Sequence, residues 1–255
     1  MDDAFALLRL QAEWGADEAI NPDPIDRLRP VEAAPPPVRL AAPAAAAPAG
    51  MPVDRATDLA AQAATLDELR AALAGFEGCA LRDTAGNLVF AEGDPASTTL
   101  LIGEPPGRDE DRGGHPFAGA EGQLLDQMLA SIGLARSALM LTPLLPWRPP
   151  GGRPPSPGEI AMCLPFLHRL IVLLAPRRVV LFGASPVRVL LPRTVNRRRS
   201  APDWVYFSIP DMQKTLPCLA LPSMLELLKT PLSRRDAWVG LRLLRRALDT
   251  EPTEK

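Results

Sequence analysis

Apolar residues recur along this chain at two spacings, and the switches between them lay out its elements. At residues 3–19 the spacing is helical, with Phe5, Leu8, Leu10, Ala12 and Trp14 mostly on one side. A helix of that length is marginal alone in water, so it must dock or fray. Residues 30–52 hold seven prolines and nine alanines, too little apolar surface to offset ordering entropy. Residues 21–53 therefore read as a disordered, semi-stiff linker. Periodicity resumes near Val53. Thr65 and Glu68 have capping-box spacing, and Leu66, Leu69, Leu73 and Phe76 continue one apolar face. Residues 87–91 read as a strand and residues 92–97 as a turn.

From residue 98 strands and helices alternate. Strands are expected at 98–102, 138–145, 178–182 and 216–221. Helices are expected at 122–132, 157–175, 187–191 and 233–248. The second of these opens with Ser156, Pro157 and Glu159, a capping box with proline in the first helical position. The last turns Trp238, Leu241, Leu244 and Leu248 inward. Such alternation predicts an α/β fold of three αβα layers around a central, mostly parallel, four-stranded sheet. The domain reading is an amphipathic helix at 1–20, a Pro/Ala-rich linker at 21–53 and the α/β domain at 54–250. In open α/β sheets ligands bind beyond the C-terminal strand ends. The loops at 103–121, 142–155, 183–186 and 221–230 are therefore the informative ones.

Composition adds stiffness. Proline accounts for 30 of 255 residues, against a usual share of about 5%. The 28 basic and 30 acidic residues leave a net charge of −2, which argues against wholesale coating of nucleic acid but leaves room for a local basic face. Cys79, Cys163 and Cys218 are widely spaced. That is no disulfide framework, and it points to a reducing compartment. The first residues, Met-Asp-Asp, lack a signal peptide's basic region. No apolar run approaches the ~20 residues of a membrane span. The expectation is a cytoplasmic monomer with no membrane partner.

Two loops carry candidate chemistry. The first runs Gly103-Glu104-Pro105-Pro106-Gly107 and on through Glu110 and Asp111 to Phe117. It is rigid, follows a strand, and offers carboxylates and then an aromatic ring. Such a loop can hold a flat ring against Phe117 with Glu104 or Asp111 nearby; a tight turn with solvated acids explains it equally well. The second loop sets Arg148 and Arg153 on a proline-rich turn, which suits phosphate contacts or is simply a rigid surface loop. Arg197, Arg198 and Arg199 form a third basic group, either phosphate-binding or a solvated run.

Together the motifs resemble the family-four, iron–sulfur uracil-DNA glycosylases. The resemblance rests on residues 103–107, Glu110-Asp111, Pro116-Phe117, Gly119, Gly122, Leu124-Leu125-Asp126, Arg148-Pro149-Pro150-Gly151, Arg153, Glu159-Ile160, Cys163, Pro165, Leu167, Phe182-Gly183 and Trp238. It spans roughly residues 76–248, in order. It implies the uracil-DNA-glycosylase fold, a DNA substrate, a base pocket involving Gly103, Pro105, Gly107 and Phe117, and three further features that this chain lacks in whole or in part. The family histidine that faces the leaving base falls at Leu221 by one alignment and at Ser223 by another. The base-reading asparagine falls at Pro143. Of the four cluster thiolates only Cys79 and Cys163 have counterparts, with Phe76 and Trp147 in the other places. No cofactor is therefore expected, neither iron nor zinc, with the two cysteines as remnants of the cluster site.

Three functions follow from this. The first is a DNA-binding or accessory protein of base-excision repair with impaired catalysis, using Arg148, Arg153, Arg197 and Arg198. The second is a glycosylase with altered chemistry, with Glu104 or Asp111 positioning water and Phe117 stacking on a flipped base. The third is an interaction module that engages a protein partner through residues 1–20.

Overall fold

Four strands of this chain are apolar at nearly every position, and in the structure each divides its side chains between two helical layers. They are β2 (Thr99–Gly103), β3 (Met140–Pro143), β4 (Arg178–Phe182) and β6 (Leu216–Leu221). The structure is a computed structural model that describes residues 50–191 and 202–250. The helix expected at 3–19, nearly all of the linker, and the Arg197–Arg199 group lie outside the described residues. Leu100, Ile102, Val179, Leu181 and Cys218 face one core, and Leu101, Leu141, Val180, Phe182, Leu219 and Leu221 face the other. The period-two alternation of a strand buried on both faces accounts for this split.

The sheet order is β1-β3-β2-β4-β6-β5. The four central strands pair in parallel, as expected. Two antiparallel edge strands enlarge the expected four-stranded sheet to six: β1 (Glu92–Gly93) beside β3, and β5 (Trp204–Phe207) beside β6. The strand expected at 87–91 is not formed; pairing begins at Glu92, within the expected turn. A two-residue strand has no alternation to read, and β5 has only four residues.

On one side of the sheet lie α1 (Gly50–Gln62), α2 (Leu66–Gly75) and α6 (Pro157–Leu174). Helix α1 starts inside the segment read as linker. Its buried face is Ala56 and Ala60, with Ala63 just beyond, and small residues in a proline-rich context give little helical signal. The Oγ of Thr65 accepts from the Glu68 N–H as expected. So does Ser156 from Glu159, opening α6. Helix α6 is long and apolar enough to cross a membrane, yet Cys163, Phe166, Leu167, Leu170 and Ile171 are buried in the core.

A short helix, α3 (Leu81–Thr84), precedes the sheet, and α4 (Arg108–Gly113) sits in the loop after β2. On the opposite side lie α5 (Gly119–Ser131), α8 (Met224–Lys229) and α9 (Pro231–Asp249). Helix α7 (Ala184–Leu190) follows β4 directly. Leu241 and Leu244 of α9 are buried as expected, but Trp238 is 42% exposed. It lies on the solvent face of α9, because the buried stripe is Ser233, Ala237, Gly240, Leu241 and Leu244.

Candidate functional site

The C-terminal ends of β2, β3, β4 and β6 bring Gly103, Pro143, Phe182 and Leu221 to one edge of the sheet. Phe117 sits there, held from several directions. Its backbone is left-handed, with φ 51°, which is strained for a residue with a side chain. Its N–H donates to Glu110 Oε1 at 2.6 Å. Its carbonyl accepts from Arg136 Nη1 at 2.9 Å, and the Pro116 carbonyl accepts from Nη2 of the same guanidinium. The ring meets Phe182 edge-on, with centroids 5.9 Å apart. It also lies so close to Gly103 that a Cβ there would come within 2.8 Å of it. The glycine that ends β2 is therefore a place for a ring.

Glu110 organises this loop, a role that nothing in its local sequence assigns to it over its acidic neighbours. Its Oε2 accepts from the Gly107 N–H at 2.6 Å while Oε1 holds Phe117. One carboxylate thus ties the two ends of the 107–117 loop together. Burial pushes its pKa up to about 7, against the pull of the two backbone donors.

Glu104 lies where β2 ends. Its Oε1 accepts from the Ser185 N–H at 3.0 Å, and the Gly183 backbone, at φ 104°, leaves room for that carboxylate. Glu121 faces the same region. Its pKa is raised by burial first, then by the charges of Glu104 and Asp109. Asp109 in turn packs against Gly119. The mouth is thus acidic, with Lys229 as a counter-charge.

The other candidates divide. Pro105 is half-buried and Gly107 caps α4, both in the loop beside Phe117. Pro143 is buried at the end of β3 and presents a ring without a donor. Leu221 is 4% exposed in the same apolar cluster as Phe117 and packs against Gly240. Ser223 caps α8, its Oγ accepting from the Glu226 N–H at 3.1 Å. Asp111 is engaged structurally too, since its Oδ1 accepts from the backbone of Gly86 and Asn87. Neither histidine of the chain joins Phe117. His115 is exposed and pairs with Glu92 at 3.0 Å; His168 lies on α6, on the other side of the sheet.

Arg153 grips Glu159 with two hydrogen bonds, at 2.9 and 2.6 Å. This holds the Glu159 carboxyl at about 2, well below its ordinary range. Removing the guanidinium by Arg153→Ala is expected to lower the melting temperature at neutral pH. A depressed acid contributes stability above its unfolded pKa and loses it as pH falls. The gap between variant and wild type should therefore close between about 4.5 and about 2; thermal melts across that range check it. Arg148 is half-buried, and its Nε is buried without a partner.

The resemblance implies a four-thiolate cluster, and the residues present do not fit one. Cys79 and Cys163 lie with Sγ atoms 3.8 Å apart. Phe76 and Trp147 are buried in the same core, Phe76 against Phe166 at 5.3 Å. Two thiols and two large apolar rings cannot ligate such a group.

Comparison with known proteins agrees with this architecture. The chain is 35% identical over 126 residues to a Type-4 uracil-DNA glycosylase of Pyrobaculum aerophilum, covering 49% of this chain and 64% of that protein. It is 40% identical over 119 residues to one of Archaeoglobus fulgidus, covering 47% and 60%. A third, from Thermotoga maritima, is 36% identical over 107 residues, covering 42% and 56%. The chain thus spans about six-tenths of the length of the curated relatives it matches. A family model described as the uracil DNA glycosylase superfamily matches residues 90–242, more than half of the chain. With the parallel sheet and the loop bearing Phe117 at its C-terminal edge, this match places the chain in the uracil DNA glycosylase superfamily.

Proposed function

We propose that this protein binds DNA in base-excision repair and accepts an unpaired base at Phe117, but excises uracil poorly. The carrying observation is what stands where the resemblance sets an imidazole and an amide: Leu221 or Ser223 for the first, and Pro143 for the second. Breaking the N-glycosidic bond sends negative charge onto the departing pyrimidine. A preorganised donor at that charge is worth about 100- to 1000-fold in rate. Here that place falls to the isobutyl group of Leu221 or to the Ser223 hydroxyl, which is engaged in capping α8, and Glu104, Asp109 and Glu121 set three carboxylates around the mouth. Such a field raises the energy of a developing anion.

The ring itself is well made for stacking. Phe117 is fixed at its N–H, its carbonyl and its ring edge, so little ordering is lost when a flat base arrives. Arg148 is the available phosphate contact in the second loop, because Arg153 is engaged with Glu159. Glu104 remains the residue able to position water. The reducing-compartment reading of the cysteines supports a cytoplasmic location.

An incision assay on uracil-containing single- and double-stranded DNA tests the reading. Excision should run about 100-fold or more below that of a Type-4 relative assayed alongside, while both substrates are bound. Efficient excision abolished by Glu104→Ala would instead establish a working glycosylase built around that carboxylate.

A further inference from the structure

The outer face of α9 carries an arrangement that the candidate site does not use. Its buried stripe is Ser233, Ala237, Gly240, Leu241 and Leu244. Opposite that stripe, at helical spacing, lie Arg235, Trp238, Arg242, Arg245 and Arg246, all exposed. Between Arg235 and Arg246 they cover about 16 Å of helix. Trp238, Arg242, Arg245 and Arg246 line one wall of an open groove of about 480 Å³, and Ser131 and Ile132 at the end of α5 line the other.

Charge and surface select the occupant. The stripe holds four guanidinium groups against one carboxylate, Asp249, which pairs with Arg245 at 2.8 Å. Asp236 lies on the flank of the helix. Trp238 stands 42% exposed among these guanidinium groups. Guanidinium groups for phosphates and an indole face for a base are the paired devices of single-strand binding. The groove is remote from Phe117: it lies at the far end of α5, whose 13 residues span about 20 Å.

We propose that this face of α9 is a second nucleic-acid contact, holding a single strand by its phosphates on Arg242 and Arg246 while Trp238 stacks on a base. It rests on the DNA-binding reading above and extends it. A strand held there is sequence-independent in its recognition and needs no damaged base.

The test uses the full chain and uracil-free single-stranded DNA, followed by fluorescence anisotropy from ~50 to ~200 mM salt. Arg242→Ala with Arg246→Ala should weaken binding on the order of tenfold at the low-salt end. It should also flatten the log–log salt slope by about 1.4, at about 0.7 per lost phosphate contact on a single strand. Trp238→Ala should weaken binding about fivefold or more, and Trp238→Phe should retain most of it. Arg55→Ala with Arg70→Ala, which removes the same charge from exposed positions on α1 and α2, should change neither number. Equal loss in that control, or an unchanged slope in the α9 variants, overturns the second contact while leaving the DNA-binding reading intact. If the wild-type chain binds no DNA, with or without uracil, both readings fall; binding of acidic peptides instead would assign the groove to a protein.

Discussion

Gly122→Ala is expected to destabilise the protein by about 3 kcal/mol or more, in the range of severe overpacking. A Cβ at this position would stand 1.9 Å from the Phe117 carbonyl oxygen and 2.9 Å from its carbon. The obstacle is backbone, so no rotamer change relieves it. Nor is the carbonyl free to swing away, because Arg136 donates to it at 2.9 Å. Either α5 shifts at its first turn or Phe117 leaves its left-handed conformation, and both disturb the ring beside Gly103. Urea unfolding measures the loss, with Gly158→Ala as its control. Gly158 lies in the first turn of α6, where an added methyl would meet nothing within 4 Å, so alanine there should be neutral or stabilising by about 0.5 kcal/mol. A Gly122→Ala loss below about 1 kcal/mol would mean that the loop yields and that Phe117 is not rigidly held.

Glu110→Gln is the second large effect, and pH is its signature. In the unfolded chain this carboxyl titrates near 4.5, in the folded chain near 7. Between those values the folded protein keeps a proton that the unfolded chain has released. Its contribution is therefore fully present below pH 4.5 and is lost as pH rises through 7. At ~1.4 kcal/mol per unit the whole swing is at most about 3.5 kcal/mol. Glutamine does not titrate, so the variant should lack this part of the slope between about pH 4.5 and pH 7. The variant also starts lower. Its amide nitrogen must face one of the two N–H donors, of Gly107 or Phe117, that the carboxylate accepts. Losing one of these hydrogen bonds to a charged acceptor costs about 1.5–3 kcal/mol, least at the exposed Gly107 N–H, which water can reach. Chemical denaturation at a series of pH values gives both quantities. An identical pH slope in variant and wild type would remove Glu110 as the titrating group.

Much of the architecture is legible in the sequence. The strands at 178–182 and 216–221 match their observed bounds, because apolar runs closed by Gly183 in one case and Pro222 in the other leave little choice. Ser156 and Glu159 announce α6 because a capping box satisfies two backbone groups through local contacts alone. The loop from Gly103 to Phe117 is legible as a site because rigid glycine–proline punctuation after a parallel strand points to the sheet's C-terminal edge. Helix α1 gives no such signal, since its alanine face acquires meaning only against α6. The inward placement expected for Trp238 fails for a related reason: its helix has a strong apolar stripe, and a large aromatic next to that stripe is easily counted into it.

The division of labour among the acids is not legible at all. Glu104, Asp109, Glu110, Asp111 and Glu121 are five carboxylates within eighteen residues, alike in ordinary pKa and reach. Local sequence determined the things that depend on local contacts: the alternation of elements, the caps and the stiff loop. Only the tertiary structure decided that Glu110 bridges its loop, that Asp111 and Arg153 are engaged elsewhere, and that Leu221 is buried in the same apolar cluster as Phe117. Those assignments depend on which backbone donors and which apolar neighbours a side chain meets across the fold, and that is set by how the sheet and helices close around it.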